Sequence, residues 1–163
     1  MLSVNKFKII HMREIKVDPN WHLPKTRKTD FTKEEMLDII DFYLQYKPML
    51  EEYVSNRNHY PQFEPHDFTL LLYMYEMLDV NYIENMKRIK KKYGKQNIDE
   101  LSKEKFDFLE AITLFTWIHR ASRGDIEDET YTYCIENDVY YDLLCRLEEI
   151  KYELKNIEFK DHN

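Results

Sequence analysis

The sequence predicts an all-α fold: a compact bundle of about five to six helices around one central apolar helix, with an extended N-terminal arm or short strand. Three observations predict it. The 163 residues include only two glycines and five prolines, whereas β-sandwiches and barrels need turn residues roughly every 8–12 positions. Apolar residues recur at helical spacing over most of the chain. The breaks between those stretches are short, as expected of helices packed side by side. Residues 1–30 read as an arm and linker, and 31–163 as a single helical domain.

The elements follow in order. Residues 5–17 alternate with period two, with Phe7, Ile9, His11, Arg13, Ile15 and Val17 on one side, which predicts a short strand or extended arm. A polar, proline-punctuated linker follows over residues 18–30 and carries Trp21. Thr32 and Glu35 have capping-box spacing. Met36, Ile39, Ile40, Tyr43, Tyr46 and Leu50 then form a helical stripe that Pro48 kinks or restarts. A second helix is expected from about Pro65 to Leu78, and a third from about Asn81 to Tyr93, stopped by Gly94. The fourth, from an expected N-cap at Ser102 to about Ser122, is apolar nearly all round and is therefore the central one. A short segment from Glu127 to Glu136 and a last helix from Val139 to about Leu154 complete the set.

Composition excludes several function classes. No apolar run approaches the length of a membrane span, and the N-terminus lacks the apolar core of a signal peptide. Cys134 and Cys145 are accordingly expected to be free thiols in a cytoplasmic protein. The abundance of Tyr, Lys, Ile, Asp and Glu, with little Ala or Gly, resembles the usage of a low-GC bacterium or its phages. There is no glycine-rich phosphate loop, and none of the six histidines belongs to an HExxH, ExxH or Cys/His cluster. Neither a cofactor nor a metal is expected.

Three features carry candidate chemistry. Residues 125–163 hold twelve acids against four bases, so the negative charge of the −7 chain is concentrated at its back. Lys87, Arg88, Lys90, Lys91, Lys92 and Lys95 place six bases in nine positions. Such a run is a solvated helix face or a phosphate-binding patch. His119, Arg120, Arg123 and Asp125 cluster at the end of the central helix. Arginines there complement the helix dipole, and together with His119 they are also a candidate site for a small anion or acidic partner.

One stretch resembles a known family. Thr113 to Ile150 is similar to the C-terminal part of an uncharacterised family of small bacterial helical proteins, a domain of unknown function. Ile118-His119-Arg120, Glu136-Asn137-Asp138 and Arg146-Leu147-Glu148-Glu149-Ile150 carry the likeness. Asp138 stands where that family has glycine. The resemblance implies a helical fold and no assigned activity.

The expected function is that of a non-enzymatic interaction or regulatory protein, bacterial or phage-borne, with a protein partner. An inhibitor of a host system acting through the acidic face is one form of it, and a homodimer is another arrangement. The alternatives are a nucleic-acid- or phosphate-binding protein using the basic run at 87–95, and an enzyme with a dispersed site around His119.

Overall fold

The computed structural model describes residues 18–61, 69–124 and 129–161. Among them lie seven helices and one four-residue turn of helix, and no strand. They are α1 (Lys33–Leu44), α2 (Lys47–Ser55), α3 (Thr69–Met74), α4 (Tyr82–Tyr93), α5 (Ile98–Leu101), α6 (Phe108–Gly124), α7 (Glu129–Glu136) and α8 (Val139–Asp161). The all-α expectation is met. The arm at residues 5–17 lies outside the described residues.

Local chemistry sets most boundaries. Thr32 caps α1 through a complete capping box: its side chain accepts from the Glu35 amide, and the Glu35 carboxylate accepts from the Thr32 amide. The chain restarts after α1 with Pro48 in the first turn of α2, where a missing amide hydrogen costs nothing. Gly94 ends α4 with φ at 66°, in the left-handed region that glycine enters freely.

Three expected boundaries need correction. The helix after residue 65 ends at Met74, not Leu78. Glu76 turns left-handed at φ 59°, and the Met77 and Glu76 amides donate to the Leu72 and Tyr73 carbonyls, the pattern of a Schellman stop. The central helix starts at Phe108, not Ser102. Ser102 instead closes the α5 turn, its hydroxyl donating to the Asp99 carbonyl. The cap of α6 is Asp107, whose carboxylate accepts from the Glu110 amide while Glu110 accepts from the Asp107 amide. Finally, α8 continues two turns past Leu154, to Asp161.

The core is built around α6. Ala111, Ile112, Leu114, Phe115 and Ile118 are buried, and so are the polar Thr113, Thr116 and His119 between them. A helix with no exposed stripe along this stretch must be surrounded, and α4, α7 and α8 all pack on it. The Phe115 ring stacks on Tyr43 of α1, with centroids 4.3 Å apart, and meets Tyr140 of α8 edge-on at 5.2 Å. The α8 stripe of Tyr140, Leu143, Leu144, Leu147 and Ile150 is fully buried as its spacing requires.

Candidate functional site

The basic run lies on α4 apart from Lys95, which follows its Gly94 stop. Met86 and Ile89 point into the core with Asn85, which leaves Glu84, Lys87, Arg88 and Lys91 along the opposite side at three- and four-residue steps. Lys87, Arg88 and Lys91 are exposed, while Lys90 and Lys95 are half-buried beside them. Lys92 leaves the group: its Nζ lies 3.1 Å from the Glu110 carboxylate and 5.0 Å from the centre of the Tyr93 ring. The other five cations form no ion pair among the described residues. Lys90 and Lys91 also stand in the last turn, where the helix dipole favours positive charge.

A buried polar network holds this helix in place. The Asp79 carboxylate is fully buried and surrounded by donors. Its Oδ2 accepts from Arg27 Nη1 (3.0 Å), Asn85 Nδ2 (2.8 Å) and Thr113 Oγ1 (2.7 Å), and its Oδ1 accepts from the Asn81 amide (2.7 Å). The Asp79 amide donates to Thr116 Oγ1 at 2.7 Å. Arg27 Nη1 also reaches the Leu109 carbonyl and Thr113 Oγ1, and the Arg27 amide donates to Asn81 Oδ1. One carboxylate thus ties the segment after Trp21 to the start of α4 and to α6. A buried charge survives only when paired and hydrogen-bonded in this way. Beside it a cleft of about 330 Å³, lined by Thr26, Arg27, Asn81, Glu84, Asn85 and Arg88, opens onto the cationic face.

A second concavity lies just beyond the other end of α4. A groove of about 480 Å³ is lined by Gln96, Asn97, Ile98, Asp99, Trp117 and Tyr133, among others. Tyr133 is 45% exposed, and its hydroxyl donates to Asp99 Oδ2 at 2.6 Å. That hydrogen bond pushes the phenol pKa up.

The cluster at the end of α6 is divided by its helix. His119 is fully buried, its Nε2 3.3 Å from the Tyr140 hydroxyl, whereas Arg120 is exposed with its Cζ 6.0 Å from the centre of the Tyr73 ring. Burial pushes the Tyr73 phenol up to about 12, and Arg120 draws it partly back. Arg123 lies in the last turn of α6, but its side chain and the whole of Asp125 fall outside the described residues. The structure therefore does not bring His119 and Arg120 to a common surface.

Part of the acidic C-terminal segment is matched inside the fold. Of its six carboxylates whose side chains are described, four are ion-paired: Asp138 with Arg57, Glu148 with Lys47, and Glu149 and Glu153 with Arg146. Asp142 is half-buried, and its pKa is raised by that burial despite the nearby Lys103. Glu136 is exposed. Both cysteines are free, and burial pushes the Cys134 thiol up to about 12, which suits a core residue and not a nucleophile. Among the described residues no three His, Cys, Asp or Glu side chains converge to hold a metal ion, and no helix is long and apolar enough to cross a membrane.

Arg27, Asp79 and the groove at Trp117 and Tyr133 escape a reading by linear pattern. Arg27 lies in a linker, and its partners are more than fifty residues away. The one available signal is the pair Thr113 and Thr116, two hydroxyls inside an otherwise apolar helix, each demanding a partner. The chain matches no family model, no curated protein and no solved structure.

Proposed function

We propose that this chain is a helical binding protein that works through surface charge, with the cationic face of α4 as its contact for nucleic acid. One observation carries the reading. Lys87, Arg88, Lys90 and Lys91 on α4, with Lys95 just past its Gly94 stop, concentrate five cations that form no ion pair among the described residues, in a chain that is acidic overall. Unpaired cations aligned on a helix neutralise successive phosphates and release their counterions on binding. The two free cysteines fit a reducing, cytoplasmic setting, bacterial or phage-borne.

The test is fluorescence anisotropy of labelled oligonucleotides over a NaCl titration. Binding that weakens linearly in log–log form supports the reading, and the Lys87→Gln/Lys91→Gln variant lowers that slope by roughly 2, about one per lost contact. Binding that is absent at low salt, or insensitive to salt, overturns it.

A second reading keeps a protein partner on the acidic segment, an inhibitor occupying a basic groove. Its support is the excess of twelve acids over four bases in residues 125–163. It stands second because most of the described carboxylates there already have cationic partners in the fold.

A further inference from the structure

We propose that the groove at Trp117 and Tyr133 receives an unpaired nucleobase, so that the nucleic acid bound by α4 is single-stranded. This inference rests on the reading of α4 as a phosphate-binding face and adds to it the class of ligand. The groove begins at Gln96, next in the chain to Lys95, just past the Gly94 stop of α4. A backbone lying on Lys87, Lys91 and Lys95 delivers its bases there.

The lining suits a base in four respects. Trp117 and Tyr133 offer aromatic surface, and stacking on such surface is available to every base because each has a π-face. Tyr133 is held by its bond to Asp99, so its ring is already oriented and little side-chain freedom is lost on binding. Gln96 and Asn97 are exposed, and Asn97 makes no capping bond to α5, which leaves amides with both donor and acceptor at the rim. The Asp99 carboxylate repels phosphate and so favours a base over the backbone in the groove itself. A duplex keeps its base faces stacked within the helix and cannot use this lining, whereas a single strand can splay a base into it.

The experiment uses the full chain carrying Trp21→Phe, which leaves Trp117 as the only tryptophan. Its fluorescence is followed while roughly 12-nucleotide single-stranded DNA, the matching RNA, the duplex of either, or inorganic polyphosphate is added. The expected result is quenching of Trp117 by single strands, with affinity about tenfold above that of the duplex or polyphosphate. The DNA and RNA arms show which sugar is preferred. Tyr133→Ala lowers single-strand affinity about tenfold and leaves polyphosphate binding unchanged. Tyr133→Phe keeps the ring and retains most of the affinity, which separates stacking from a folding defect. Equal, salt-dependent affinity for single strand, duplex and polyphosphate, with no change at Trp117, overturns the groove assignment and leaves the α4 reading intact. No binding to any of the four overturns both. Stronger quenching by an acidic, aromatic peptide than by any oligonucleotide overturns the nucleobase and assigns the groove to a protein.

Discussion

Asp38 and Glu35 sit three residues apart on α1 and respond to pH in opposite directions. Asp38 is 3% exposed, and its Oδ2 has no hydrogen-bond partner among the described residues. Burial raises its pKa above the usual 3.8, and the charges of Glu34, Asp41 and Glu35 add to the rise. A carboxyl whose folded pKa is raised is fully accommodated below its unfolded pKa and loses stability as pH rises through the folded value. Asp38→Asn is therefore expected to raise Tm at pH 7 by about 2–4 °C, near 1 kcal/mol for a chain of this size, and to give little gain at pH 3. Glu35 is the reverse case. The Lys28 ammonium that bonds to it, followed by the Thr32 amide, lowers its pKa from 4.5 to about 2. Its contribution is present above its unfolded pKa and is lost as pH falls from about 4.5 toward 2. Glu35→Gln should lower Tm at pH 7, with the difference from the parent closing across that window in an acid titration followed by circular dichroism.

At the scale of elements, the stops are more informative than the starts. Glu76 occupies a left-handed position, φ 59°, that strains any side chain and suits glycine. Its carboxylate is 45% exposed, and its 3.4 Å contact with Lys28 contributes little. Glu76→Gly is expected to stabilise the fold by up to about 1 kcal/mol, read as a higher urea midpoint at unchanged m-value. Asp138 is also left-handed, at φ 62°. Aspartate tolerates that region better than glutamate, and here it is clasped by both Arg57 nitrogens. At the start of α1, Thr32→Ala removes a complete capping box and should cost about 1 kcal/mol. That box was readable as Thr32 and Glu35. The equivalent box on α6 uses Asp107 with Glu110, and by residue type Asp107 and Ser102 are equally good caps.

At the scale of the molecule, the Asp79 network joins three distant stretches of chain and sets where the cationic face stands. Asp79→Ala leaves Arg27 Nη1 and the Thr113 and Asn85 donors without their shared acceptor. Breaking a buried pair from one side is expected to cost about 3–5 kcal/mol in denaturant unfolding. Arg27→Ala should be comparably damaging, and the double variant less so than the sum, because both remove the same pair. By itself the sequence determined the helical class, the buried stripes of α1, α6 and α8, the Gly94 stop and the basic run. Each of these is encoded by residues within one or two turns of each other, where backbone geometry alone decides who shares a face. Only the tertiary structure decided which charges stay unpaired. Arg146 turns to Glu149 and Glu153, Lys47 to Glu148 and Arg57 to Asp138, so four carboxylates of the acidic segment are answered within the fold. His119 lies in the core away from the exposed Arg120, and Trp117 and Tyr133, on different helices, line one groove. Charge and aromatic surface become a site through proximity in space, and that proximity follows from how the helices pack around Phe115, not from any local pattern.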